Sequence, residues 1–286
     1  TEARKLLKEY KPDLVIGTGG YVCGPIVFLA ALQGIPACVQ EQNALPGMTN
    51  KILAHFVNRI FLGYSEADKY FKGKAKKIFT GNPIRAEVMQ STRAEGIKAF
   101  GLDSGKATVL IAGGSLGAAS VNQAALQLEK NLSGRDDVQI LHATGKNNYE
   151  DYQRQVEELG GFKSNIHIKP YLYDMPLALA AADIAVFRAG AIGLAELTAK
   201  GIPSILVPFP YATANHQEFN ARALEAVGAA QVILDKNLTG EVLEEKIEHL
   251  LLHKEILQKM QNAAQKAGRP KAAQEIAKQA LALVSK

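Results

Sequence analysis

Thr108-Val109-Leu110-Ile111-Ala112-Gly113-Gly114-Ser115-Leu116-Gly117 is an apolar, partly β-branched run that breaks into glycines. The run reads as a buried strand, and the glycines read as the turn that delivers the chain into a helix. A turn of this kind leaves the first N–H groups of the helix unpaired and aimed at one spot, with the helix dipole behind them. That is a ready anion site, and glycine lets a phosphate come close to the backbone. The pattern recurs where Asp183-Ile184-Ala185-Val186-Phe187 runs into Arg188-Ala189-Gly190-Ala191. Two such turns in one parallel-sheet domain suit a ligand held at both ends, a phosphate at one and a polar ring at the other. A nucleotide fits that description.

Outward from these turns, strand-like and helical segments alternate along the chain. Strands are predicted at Asp13–Gly17, Ala37–Glu41, Arg59–Gly63, Lys77–Thr80, Thr108–Ala112, Val138–Ala143, Ile166–Tyr171, Asp183–Phe187, Ser204–Pro208 and Gln231–Leu234. Between them lie helical patterns such as Leu243, Ile247, Leu250 and Leu251 on one face. Regular β-α alternation implies right-handed crossovers and parallel sheets covered on both faces. The alternation pauses at Gly81-Asn82-Pro83 and resumes after a polar helix ending near Phe100-Gly101-Leu102. The fold class predicted is therefore α/β, with two doubly wound, Rossmann-like domains. Residues 1–84 would form a first, incomplete domain and 85–268 the second, with a last helix over 269–286 returning to the first.

Composition agrees with a globular protein: 286 residues, 47% apolar and 21% charged. No apolar run reaches the length of a membrane span. The chain opens Thr-Glu-Ala-Arg-Lys, without Met or a signal segment, which leads to the expectation that its true start lies upstream. Cys23 and Cys38 show no metal or redox spacing and read as reduced thiols. The net charge of +5 is concentrated beyond Lys254, and Lys69, Lys72, Lys74, Lys76 and Lys77 form a second basic cluster. A basic surface of this kind suits either a solvated helix face or an anionic partner.

Several motifs carry competing readings. Gly17-Thr18-Gly19-Gly20-Tyr21-Val22 lacks the third glycine of the dinucleotide fingerprint, so a nicotinamide site is disfavoured. Gly113-Gly114-Ser115-Leu116-Gly117 also satisfies the nucleophile elbow of α/β serine hydrolases, with Ser115 as nucleophile. That reading needs an acid and a histidine downstream; His216 and His253 are available, but Asp183 starts a strand instead of ending one. A non-catalytic nucleotide-binding module is the third reading. Glu196 falls among apolar neighbours on a helix starting near Ala191. Such a shielded carboxylate needs partners, either a cation in a salt bridge or the two vicinal hydroxyls of a ribose. Arg85 stands at the passage between the domains, where a guanidinium can neutralise phosphates. No D-x-D occurs and no His/Cys spacing suggests a metal, so departure of a diphosphate would rely on helix dipoles and arginine.

Taken together, the segments Ile16–Pro25, Glu41–Lys51, Gly81–Arg85, Gly113–Ala118, Arg188–Ala191 and Asn215–Ala221 resemble, in order, the MurG family of peptidoglycan N-acetylglucosaminyltransferases. These are inverting glycosyltransferases of the GT-B fold that convert lipid I to lipid II. The resemblance implies that UDP-N-acetylglucosamine lies mainly on the second domain and that the first faces lipid I and the membrane. By position, Ser115 and its loop would meet phosphate, and Leu172 would offer its backbone to uracil. Ala191, Ile192, Gly193, Leu194, Ala195 and Glu196 would frame the ribose, and Gln217 would bind sugar hydroxyls. Asn43 and Arg85 would approach the donor from the first domain and the passage. The family implies no metal and no organic cofactor, no nucleic acid, and a peripheral place on the cytoplasmic face of the bacterial membrane. The apolar stretch Gly24–Leu32 and the Lys69–Lys77 cluster are the segments to meet anionic inner-leaflet lipid.

The family's opening Gly-Gly-Thr-Gly-Gly-His loop, whose histidine is a candidate base, has no match here. Ile16–Tyr21 corresponds to the second glycine loop, and the position before Glu41, often histidine in the family, is Gln40. The catalytic base is therefore unknown and expected upstream, and the chain is expected to bind the donor but to turn over weakly or not at all.

Overall fold

The structure is a computed structural model that describes residues 2–114 and 117–284. Every predicted strand is present: β1 (Val15–Gly17), β2 (Ala37–Glu41), β3 (Arg59–Leu62), β4 (Lys76–Phe79), β5 (Ala107–Ala112), β6 (Val138–Ala143), β7 (Ile166–Lys169), β8 (Ile184–Phe187), β9 (Ser204–Leu206) and β10 (Ala230–Val232). They divide into two fully parallel sheets, one ordered β1-β2-β3-β4 and the other β10-β9-β8-β5-β6-β7. The chain correspondingly splits into two compact units. One runs up to Ile84 and takes in everything from Arg269 onward; the other is Arg85–Gly268.

In the first unit, β2 and β3 are buried almost throughout because helices cover both faces of the sheet. The Cys23–Leu32 helix buries Val27 and Ala30, and Val27 packs in one core with Val39 and Leu62. The opposite face carries Cys38 and Phe61, which pack against Ile276 and Ala280 of the Ala272–Leu281 helix. Burial pushes the Cys38 thiol up to about 11, against the lowering influence of Arg59. Arg59 also ties this helix down by donating to the backbone carbonyl and, at 3.1 Å, to the side-chain oxygen of Gln279.

In the second unit, strand order reverses between β5 and β8. Chain segments therefore leave these adjacent strands toward opposite faces, opening a crevice at their C-terminal ends. Val109, Ile111, Val121, Leu128 and Ile140 form the core under the Ala119–Leu132 helix, joined by Leu243, Ile247 and Leu250 from Gly240–Leu252. The predicted 3.6-residue stripe is thus the face that packs. At the other side, the Arg93–Phe100 helix is started by a capping box of Thr92 and Glu95 and stopped by left-handed Gly101. The Thr92 N–H and hydroxyl hold the Glu95 carboxyl below its ordinary range.

Gly96 of this helix packs onto the Met175–Ala181 helix so closely that an added Cβ would lie 2.3 Å from the Leu177 carbonyl oxygen. Gly96→Ala should therefore force the helices apart and destabilise the unit by about 1–3 kcal/mol. Urea denaturation measures this, and an unchanged midpoint would contradict the close approach.

Candidate functional site

The crevice at the C-terminal ends of β5 and β8 deepens into a cavity of about 730 Å³ within the second unit. Its walls include both glycine turns. After β5 the chain folds back on itself: Gly117 N–H bonds the Gly114 carbonyl at 3.0 Å, and Gly117 has φ +78°. A Cβ on Gly117 would lie 2.1 Å from the Thr144 carbonyl oxygen, so only glycine fits there. The Ala119–Leu132 helix then starts at the cavity wall, with Ala118 at its cap and no side-chain cap hydrogen bond among the described residues. After β8, the Ala191–Lys200 helix starts the same way behind Gly190. Two uncapped helix N-termini thus meet one cavity, a favourable setting for anions. Ser115 and Leu116 lie outside the described residues.

Arg85, Leu172, Gly193, Glu196 and Gln217 line this same cavity. Glu196 is buried and held by Arg85 in a two-pronged pair, Nε to Oε1 at 3.0 Å and Nη2 to Oε2 at 3.3 Å. Both readings of its shielded position bear on this arrangement: the cation is present, and the carboxylate still has lone pairs for further donors. The rest of its helix turn divides by face. Ala191 opens the helix, Ile192 is exposed, and Ala195 is half-buried. Leu194 is fully buried, and its N–H closes on the Gly190 carbonyl at 3.1 Å.

Leu172 sits between two tyrosines, Tyr171 and Tyr173, whose rings pack edge to face at 4.9 Å. The Lys146 ammonium lies 5.3 and 4.9 Å from their centroids. At another wall, the side-chain oxygen of Gln217 accepts the Phe209 N–H at 3.0 Å, which leaves its NH₂ group as the donor.

One residue quoted in the sequence without a role turns out to organise the wall. Arg188 bonds Asp235 at 2.5 Å, the Val207 and Pro208 carbonyls at 3.2 Å each, and the Ser120 hydroxyl at 2.8 Å. Ser120 in turn donates to Asp235 at 2.7 Å. The guanidinium thereby ties the ends of β8 and β9 to the first turn of the Ala119–Leu132 helix. An arginine directly after a buried strand was the available signal. Its partner Asp235 lies 47 residues away, and only the folded sheet brings the two together.

The serine hydrolase reading fails on sheet polarity. Asp183 precedes β8 and accepts the Thr108 N–H at 2.8 Å, so it lies at the strand starts while the glycine turn leaves the strand ends. His216 and His253 bond backbone carbonyls of their own neighbourhoods, Thr213 and His249.

Asn43 belongs to the other unit, in the loop after β2. Buried Glu41 shapes that loop: Oε1 accepts the Asn43 N–H at 2.9 Å, and Oε2 accepts Gly47 N–H at 3.1 Å and Asn50 Nδ2 at 2.8 Å. Gln40 is buried beside it and donates to Asn82 Oδ1 at 2.8 Å, while Asn82 donates to the Gln42 carbonyl at 2.9 Å. The residue at the position where the family often has histidine is thus an amide committed to structure.

Known proteins resemble this chain in both sequence and fold. Residues 108–276 match the glycosyltransferase family 28 C-terminal domain, and residues 1–62 match the N-terminal domain of that family. The UDP-N-acetylglucosamine–N-acetylmuramyl-(pentapeptide) pyrophosphoryl-undecaprenol N-acetylglucosamine transferase of Acetivibrio thermocellus is 50% identical over 267 residues, 93% of this chain and 72% of that protein. The enzyme of the same name from Halothermothrix orenii is 48% identical over 274 residues, 94% of this chain and 74% of that protein. Among solved structures, Acinetobacter baumannii MurG superposes with a TM-score of 0.78 at 29% identity, covering 98% of this chain and 76% of that one. The chain therefore belongs to the MurG family of N-acetylglucosaminyltransferases, within glycosyltransferase family 28 and the GT-B fold.

Proposed function

We propose that this chain transfers N-acetylglucosamine, with inversion, from UDP-N-acetylglucosamine to the C4 hydroxyl of the N-acetylmuramyl group of lipid I, giving lipid II. The observation that carries the reading is the convergence of two uncapped helix N-termini, Arg85 and Glu196 on one cavity, in a chain 50% identical to a transferase of that name. The acceptor hydroxyl gives its proton to a general base and attacks the anomeric carbon as the bond to the β-phosphate oxygen breaks, and UDP leaves. Negative charge grows on the leaving diphosphate, where fixed N–H dipoles and a guanidinium stabilise it without reorganising. The helices starting at Ala119 and Ala191 supply the dipoles, and Arg85 supplies the cation.

In this reading the glycine loop around Ser115 cradles phosphate, and the Leu172 backbone meets the uracil edge beside Tyr171. The free lone pairs of Glu196 accept the ribose hydroxyls, framed by the turn from Ala191 to Glu196. Gln217 donates its NH₂ to a sugar hydroxyl. Asn43, placed by Glu41, serves the sugar from the first unit. The second unit is thus the donor domain and the first the acceptor and membrane domain.

The carboxylates lining the cavity, Glu196 and Asp235, are each bound by an arginine, which favours diphosphate departure without a divalent ion. Binding of UDP-N-acetylglucosamine should accordingly be the same with and without EDTA; loss of binding in EDTA would overturn the metal-free mechanism.

Glu196→Gln keeps the shape of the side chain and removes its charge. One charge-assisted hydrogen bond is worth about 1.5–3 kcal/mol, so UDP affinity should fall about tenfold or more. Calorimetric titration measures it, and unchanged binding by the folded variant would remove the ribose role.

The protein also meets the membrane through its first unit, as a peripheral protein on the cytoplasmic face. Among the described residues no helix is long and apolar enough to cross a membrane. Instead Tyr21, Val22, Met48 and Ile52 are exposed on and beside the Cys23–Leu32 and Met48–Leu53 helices. Lys51 and Lys69 both lie 5.2 Å from the Tyr70 ring, which joins this apolar surface to the basic cluster. Replacing Lys69, Lys72 and Lys74 by Glu should lower co-sedimentation with anionic vesicles by about tenfold or more, since each lysine near such a surface contributes about 1 kcal/mol. Undiminished co-sedimentation would contradict the electrostatic part of the contact.

A further inference from the structure

The chain that leaves β9 carries two aromatic rings to the rim of the cavity and leaves them uncovered. In Pro208-Phe209-Pro210-Tyr211, Phe209 is 40% exposed and Tyr211 85%, and both line the cavity. Their rings meet edge to face with 5.7 Å between centroids. Single apolar side chains scattered over a surface are ordinary, but two rings in contact at the mouth of a polar cavity mark a place of binding.

The backbone beneath the rings is firmly held. Arg188 Nη1 donates to the carbonyls of Val207 and Pro208, directly before Phe209, and its Cζ lies 5.6 Å from the centroid of the Phe209 ring. The Phe209 N–H donates to Gln217, and the Ala212 N–H closes a turn on the Phe209 carbonyl at 3.2 Å. Pro208 and Pro210, on either side of Phe209, each fix their own φ. Further on, Ala214 and Asn215 take φ values of +52° and +57°, in the left-handed region that an alanine side chain disfavours. This strained turn brings the chain into the His216–Ala226 helix, whose second residue is Gln217. A surface fixed before binding loses little freedom when a ligand settles on it.

What such a shelf accepts follows from its faces and from its neighbour. The face of an aromatic ring carries partial negative charge, and the slightly positive axial C–H bonds of a pyranose pack against it. A phosphate gains nothing from such a face. A sugar also has a rim of hydroxyls that need polar partners, and Gln217 supplies one beside the shelf: its oxygen is spent on Phe209, and its NH₂ group is left to donate. We propose that Phe209 and Tyr211 are specificity-determining residues, forming a shelf for the C–H face of the donor's N-acetylglucosamine ring and so favouring the sugar nucleotide over the bare nucleotide. This role rests on the donor cavity proposed above. The acceptor carries a pyranose too, but the shelf shares one cavity with Gln217 and with the starts of both helices that face the diphosphate, which makes the donor ring its occupant.

Calorimetric titration with UDP and with UDP-N-acetylglucosamine tests the shelf, because only the second ligand carries the sugar ring. Tyr211 stands in the open, so Tyr211→Ala leaves the core intact, and Phe209→Leu keeps apolar bulk while removing the ring face. Each variant should weaken UDP-N-acetylglucosamine about three- to tenfold, the effect of one aromatic contact, and leave UDP within about twofold of the parent. Tyr211→Phe, which restores the ring, should restore the affinity. Equal loss for both ligands would assign the rings to the nucleotide and overturn the proposal, as would no loss for either. Loss confined to binding of a soluble lipid I analogue would assign them to the acceptor and overturn it as well. Failure of the parent to bind either nucleotide would overturn the donor cavity, and the shelf with it; a parent that binds both, with variants that do not discriminate between them, would overturn the shelf alone.

Discussion

The reversal of strand order between β5 and β8 is the constraint on which the rest of the second unit depends. Neighbouring parallel strands whose following helices pack on opposite faces cannot both close over their C-terminal ends. The gap that remains is lined by whatever leaves those ends, here two glycine turns and two helix N-termini. Everything polar around the cavity is arranged about that gap. Arg188 clamps the ends of β8 and β9 to the helix beside β5, and Arg85 closes on Glu196 in the first turns of the helix after β8.

Among the described residues, the charged side chains that line the cavity, Arg85, Arg188, Glu196 and Asp235, are paired with one another. Removing an ion from water costs several kcal/mol unless geometry and hydrogen bonds return it, so a buried charge persists only where it is well held. Arg188 with Asp235 and Glu196 with Arg85 both meet that demand within the second unit. Glu41 meets it in the first unit through amide donors from Asn43, Gly47 and Asn50. In each case the held group fixes a loop end, which keeps polar surface in place for a ligand instead of leaving it to relax.

Much of the fold was legible because buried parallel strands are apolar on both faces and end in turn residues. The bounds of β2 and β6 coincide with the sequence reading. Where the reading overran, pairing was the reason. β9 was expected to reach Pro208, but its partner β8 ends at Phe187, which pairs with Leu206, and Pro208 lies beyond this pairing and carries no N–H to extend a ladder. β7 was expected to reach Tyr171, but β6 offers partners only as far as Lys169. Strand ends depend on a neighbour distant in sequence, and no local pattern contains that neighbour.

By itself, the sequence determined the α/β class, the ten strands and the turns at which anions can be held. These follow from periodicity, from glycine placement and from the unpaired N–H groups at a helix start, all local properties. It also indicated that Glu196 is shielded, since its neighbours on the helix are apolar. Only the tertiary structure decided what shields it and what answers it. Arg85 reaches Glu196 across 111 residues, and Asp235 meets Arg188 across 47. The identity of a buried charge's partner is set by which strand lies next to which, and strand order is a property of the assembled sheet.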